Sequence, residues 1–194
     1  VRRATAAAAA AQPAWAETNY QERAAILRRA AEIYEAHRPE FGTWTQRETG
    51  AHHNKMHHEQ NFTAQELHQA ATMPSQAYGS LVPSAQPGRL SMVRRVPIGV
   101  VGAITPWNSP SVLGMRVVGP ALALGNAVII KPDPQSAVCG GAGFPALFVS
   151  FDVQPVVVAS PSARTQTPRA TTFRLIMVCA LRCDHPGAVG GVRL

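Results

Sequence analysis

Two short loops hold the residues with the greatest chemical reach. Thr105-Pro106-Trp107-Asn108-Ser109-Pro110 presents a carboxamide NH2 on Asn108, a donor that can stabilise a developing oxyanion beside a helix N-terminus. Lys131 ends an apolar run and can reach a ribose hydroxyl or a phosphate as a point charge. Trp107 can wall an apolar slot beside a flat ring. Ordinary turn chemistry is the alternative for the same residues, since Pro and Asn are common in turns. Elsewhere, His53 and His57 lie one helical turn apart, a spacing that can grip a metal. Two histidines make an incomplete zinc site and HExxH is absent, so a solvated helix face is expected and no metal. Cys139, Cys179 and Cys183 lack paired CxxC spacing, which makes a reduced, cytoplasmic setting the default.

The elements around these loops follow from periodicity. A helix is predicted from about Asn19 to His37, capped by Thr18 or Asn19, with Ala24, Leu27, Ala31 and Tyr34 on one face. Arg23, Arg28 and Glu32 fall elsewhere. A second helix runs from Pro39 to Thr49 and ends at Gly50 in a left-handed conformation. A third spans about Asn54 to Met73. Residues 74–88 read as loop, and Arg89 to Val96 as a half-buried strand. Pro97 to Ile104 reads as a strand buried on both faces. A helix from Ser111 to Leu124, bent at Pro120, leads to a second buried strand, Ala127 to Lys131. Strand, helix, strand in this order make a βαβ unit, with ligands expected beyond the carboxyl ends of its strands. The Asn108 loop and the Lys131–Pro134 loop leave those ends. Neither GxGxxG nor GxxxxGK[ST] is present.

Composition narrows the classes. The chain has 194 residues, 46% hydrophobic and 15% charged, enough apolar side chain for a core. No apolar run reaches 18 residues, so no membrane span is expected. The net charge is +7, but no nucleic-acid-binding motif accompanies it. The Arg2-Arg3 and alanine-rich start imitates a signal peptide, and the frayed entry to a helix is the plainer reading.

From about Ala11 to Gly141 the chain resembles the NAD(P)-dependent aldehyde dehydrogenase superfamily. Gln12-Pro13-Ala14-Trp15-Ala16, Glu22-Arg23-Ala24 and Glu48-Thr49-Gly50 carry the resemblance. So do Pro97 through Asn108, Gly119 through Asn126, and Lys131-Pro132. The wording from Lys131 to Gly141 is nearest the benzaldehyde dehydrogenase branch. The resemblance implies an α/β fold, a partial Rossmann-like parallel sheet preceded by helices. It implies oxidation of an aldehyde, aromatic in that branch, to its acid with NAD or NADP, in a homo-oligomer. In such enzymes a thiolate attacks the aldehyde, hydride passes to the nicotinamide, and an activated water releases the acid. Asn108 matches the oxyanion donor and Lys131 the adenosine-ribose contact, while Thr105, Pro106 and Trp107 match the cofactor channel. Where the family often has Glu three residues after the lysine, this chain has Pro134. Asp133 is the candidate substitute.

The expected division is a partial cofactor-binding domain, 1–141, and an unmatched tail, 142–194. The tail has no Lys or Glu, five Arg and five Pro. A change of reading frame near Gly141 and a divergent extension both account for it, and its short apolar runs, 156–158 and 175–178, are expected to be too few to organise a sheet. Cys139 matches a helix start rather than the family nucleophile. With no nucleophile or general base recognised, this chain alone is expected not to turn over. A non-catalytic nucleotide-binding or oligomerisation module is the other class that fits.

Overall fold

Helices lead the chain, and the small residues on their inner faces decide how they stack. A computed structural model describes residues 1–143, Leu147 and Val156–Val158. Helices α1 (Arg2–Glu17), α2 (Tyr20–Ala36), α3 (Arg38–Thr49) and α4 (His53–Thr72) come first. A two-stranded antiparallel ribbon, β1 (Gly79–Val82) with β2 (Ser91–Arg94), follows. Then β3 (Val100–Ile104), α5 (Pro110–Ala123) and β4 (Ala127–Lys131) form the expected βαβ unit, with β3 and β4 parallel. A third parallel strand, β5 (Val156–Val158), pairs with the other edge of β4, giving the order β3-β4-β5.

The opening segment is not a frayed entry. It is a 16-residue helix that buries Ala4, Ala8 and Trp15 and packs against the parallel sheet. Alanine has the best helix propensity and little bulk, so the helix can form and lie close. In α2 the cap is Asn19, whose side chain accepts the Gln21 N–H at 2.8 Å. The Thr18 hydroxyl instead donates back to the Ala14 carbonyl. Arg23 does not fall outside the buried face. It is 6% exposed and donates to the carbonyls of Ala16, Thr18 and Ala123, tying the ends of α1 and α5 together. Such end carbonyls lack partners within their own helices.

The parallel sheet also departs from expectation. Only β4 is buried along its apolar length, from Ala127 to Ile130. In β3 only Ala103 is buried and Ile104 is 82% exposed, because β3 has a single neighbour among the described residues. Residues 97–99 lie before this strand: the N–H groups of Ile98 and Gly99 donate to Asn126 Oδ1. The 156–158 run, one of two expected to be too few to organise a sheet, joins the parallel sheet as β5. The strand expected over Arg89 to Val96 shrinks to β2, and its partner β1 lies inside what reads as loop. Leu81 and Met92 face each other in register yet are 70% and 66% exposed, since nothing described covers that face. Residues 175–178, Cys179 and Cys183 lie outside the described residues.

Between the sheet and α2 the core holds Leu27, Tyr34, Leu67, Met115, Leu122 and Ile129, all inaccessible to solvent. Helix α4 packs on both α2 and α5. Gly125, at φ +83°, turns the chain from α5 into β4, a conformation open to glycine at little cost.

Candidate functional site

The parallel register puts Ile104 beside Lys131, so the chain leaves β3 and β4 at the same end of the sheet. The Thr105 N–H donates to the Lys131 carbonyl at 3.1 Å, extending the ladder by one step. The Thr105 hydroxyl, buried, donates to the Gly140 carbonyl at 3.2 Å. Gly140 permits that approach: a Cβ there would sit 2.8 Å from Pro110 Cβ. The loop after β3 and the segment after β4 are thus one packed unit.

Above this floor the side chains diverge in role. Pro106, Trp107 and Asn108 are exposed, Trp107 by 49%. The Asn108 carboxamide has no hydrogen-bond partner among the described residues, which leaves its NH2 available. Lys131 is half-buried at the strand end and makes no ion pair with a described residue. Asp133 is partly committed: its Oδ1 accepts the Gln135 N–H at 2.9 Å and caps the 3₁₀ turn Pro134–Ser136. The structure therefore brings together five of the expected residues as open surface and donors, with Thr105 as the buried hinge beneath them.

Two acidic residues that sequence reasoning passed over hold this unit in place. Glu59 of α4, with its side chain 2% exposed, accepts the Ser111 N–H at 2.9 Å and the Ser111 hydroxyl at 2.7 Å through Oε1. It caps α5 from another helix, because Ser109 makes no side-chain cap of its own. Lys55 pairs with Glu59 Oε2 at 2.8 Å. Glu48 of α3 accepts the N–H groups of Val138 and Cys139 at 2.9 and 2.8 Å, capping the π-helical turn Val138–Ala142. Carboxylates suit such positions because the first N–H groups of a helix are unpaired and positively poled. The local signal for Glu48 is its place two residues before Gly50, but its partner lies 90 residues on.

The aldehyde dehydrogenase family model matches residues 1–161. This chain belongs to the aldehyde dehydrogenase family. The match begins before Ala11 and runs past Gly141. A vanillin dehydrogenase of Amycolatopsis sp. is 52% identical over 143 residues, covering 74% of this chain and 29% of that protein. A benzaldehyde dehydrogenase (NAD+) of Pseudomonas putida is 51% identical over 142 residues, covering 73% of this chain and 29% of that one. The crystal structure of an NAD-dependent benzaldehyde dehydrogenase from Corynebacterium glutamicum superposes with a TM-score of 0.75 at 40% identity, over 79% of this chain and 34% of that one. This aldehyde dehydrogenase sequence thus spans about a third of the length of those relatives.

Cys139 has the wrong surroundings for an aldehyde dehydrogenase nucleophile. It is fully buried, and burial first, then the Glu48 carboxylate, pushes its thiol well above the ordinary range. A nucleophilic cysteine needs thiolate character and access. His53 and His57 do meet on one helix face, and no group of three His, Cys, Asp or Glu able to hold a metal occurs among the described residues. Nor is any described helix long and apolar enough to cross a membrane.

Proposed function

We propose that this sequence supplies the first part of an enzyme that oxidises an aromatic aldehyde to its carboxylic acid with NAD or NADP. One observation carries the reading: Asn108 and Lys131 leave adjacent parallel strands at the same end, in a chain about half identical to dehydrogenases named for vanillin and benzaldehyde. The donor set suits a dinucleotide. The Lys131 ammonium is a donor that ribose hydroxyls can accept from, and Trp107 offers a flat wall above the packed loops. The bound dinucleotide supplies the hydride acceptor. Pro106 and Trp107 line its channel, the buried Thr105 holds their loop from beneath rather than facing the cofactor, and Asp133 offers its second carboxylate oxygen to the ribose. The Asn108 Nδ2 donates to the aldehyde oxygen as negative charge develops there. The exposed apolar ribbon face around Leu81 and Met92 supports a homo-oligomer, tested by sedimentation.

In the whole enzyme with benzaldehyde and NAD+, followed by NADH absorbance, Asn108→Ala should lower kcat about 100- to 1000-fold, as for other oxyanion donors. Lys131→Ala should raise the nucleotide KM far more than it lowers kcat. An Asn108→Ala enzyme with parental kcat overturns the oxyanion role. NAD+ binding without turnover in the parent enzyme favours a nucleotide-binding module instead.

A further inference from the structure

The first turn of α4 carries a feature that the dehydrogenase reading does not use. His53 opens the helix and His57 follows one turn later, both exposed. Their Nε2 atoms lie 2.9 Å apart, with the rings edge to face at a centroid separation of 4.3 Å. An ion held at about 2.05 Å from both nitrogens would subtend about 90° at that separation. A tetrahedral ion needs the nitrogens about 3.3 Å apart at the same bond length. The spacing therefore matches cis positions of a square-planar or tetragonal ion, the preference of Cu(II) and Ni(II), and both rank high in affinity for imidazole.

The surroundings suit an ion with open positions. The two imidazoles edge a concavity of about 410 Å³ between α3 and α4, lined also by Gln46, Met56 and Gln60. Gly42 forms its floor, where a Cβ would meet Gln60 Nε2 and Met56 Sδ at 2.8 Å. Gln60 Nε2 donates to the Arg38 carbonyl. Arg38 is the one cationic neighbour lining the concavity, and its guanidinium is engaged by Asn61 at 2.7 Å and Glu35 at 3.6 Å. A hydrogen bond between two neutral rings also gives a 2.9 Å contact, but both rings are exposed, and the donor ring frees its Nε2 for an ion by carrying its proton on Nδ1 instead. We propose that His53 and His57 form a two-imidazole site for a divalent ion of the Cu(II) and Ni(II) class, away from the dehydrogenase loops.

The test is calorimetric titration of Ni(II), Cu(II) and Zn(II) into the untagged 194-residue chain and into His53→Ala, His57→Ala and His58→Ala, each checked by circular dichroism. One Ni(II) per chain is expected, with affinity falling at least tenfold in either His53→Ala or His57→Ala and unchanged in His58→Ala. Zn(II) should bind more weakly than Ni(II). Protection of His53 and His57 in the parent chain from diethylpyrocarbonate by Ni(II), read by peptide mass, checks the same site without a variant. Parental Ni(II) affinity in His53→Ala or His57→Ala, tighter Zn(II) than Ni(II) binding, or no protection of either histidine overturns the proposal.

Discussion

Glu59→Ala probes the cap that aims the Asn108 loop. The substitution removes the acceptor of two Ser111 donors, at 2.9 and 2.7 Å, in a site where the carboxylate is almost fully enclosed. Hydrogen bonds to a charged group contribute about 1.5–3 kcal/mol each. The Ser111 hydroxyl can turn toward Thr63, 3.2 Å away, so the backbone N–H is the group left orphaned. Lys55 is 41% exposed and rehydrates once its partner is gone, so the ion-pair share is small. The sum is a loss of about 3 kcal/mol for alanine. Glutamine keeps an acceptor oxygen and loses only the charge assistance, about 1 kcal/mol. With a urea m-value of about 2 kcal/mol/M, the midpoints fall by about 1.5 M and about 0.5 M. Urea unfolding followed by tryptophan fluorescence reads both. An alanine variant within about 0.3 M of the parent refutes the cap, and a glutamine variant as damaging as alanine refutes the role of the acceptor oxygen.

Other outcomes follow from the same packing. The buried Tyr34 hydroxyl has no hydrogen-bond partner within range among the described residues, so Tyr34→Phe should unfold at equal or higher urea than the parent. Burial pushes that hydroxyl from 10.0 up to about 12, so it carries no ionisation penalty below pH 10, and the fold loses stability as the pH rises from 10 toward 12 because the unfolded chain ionises first. Tyr34→Phe should flatten this alkaline fall in a pH series of melts. Gly125→Ala combines a φ of +83° with contacts at 3.0 Å to Pro97 and 3.3 Å to Ala16, whereas Gly50→Ala at φ +66° meets open space. The first should cost about 2–3 kcal/mol and the second about 1, read as thermal midpoints, and equal losses would remove the steric part of the argument. Cys139 should resist iodoacetamide at pH 8 in the native chain and react after unfolding, as read by peptide mass. Native labelling would contradict its burial.

The βαβ unit was legible because each part is local. Val128 to Ile130 is a β-branched run stopped by Pro132, and Gly125-Asn126 closes the helix before it. Proline-bounded loops at Thr105–Pro110 and Lys131–Pro134 marked the carboxyl ends, and the register confirms that they adjoin. What stayed hidden depends on distant partners. Arg23 looks like a surface residue until the Ala123 carbonyl, 100 residues away, arrives beside it. Glu48 and Glu59 look like solvated acids until Val138 and Ser111 supply unpaired N–H groups. The alternation around Met92 was real, but period alone does not say whether a face is covered. The alanine run at the start misled because low hydrophobicity hides how well small side chains pack.

That first helix also has a place in time. Gln12 and Trp15 bond to the carbonyls of Gly125 and Leu122, 113 and 107 residues away. Synthesis at about 5–20 residues per second leaves α1 waiting about 5–20 s for its partner to emerge. A helix forms within about a microsecond, so α1 spends that interval formed or fraying with Trp15 uncovered. Its docking closes the longest loops in the described chain and so belongs among the last events of folding. The ribosome-bound nascent chain is therefore where this protein is most open to capture by a chaperone.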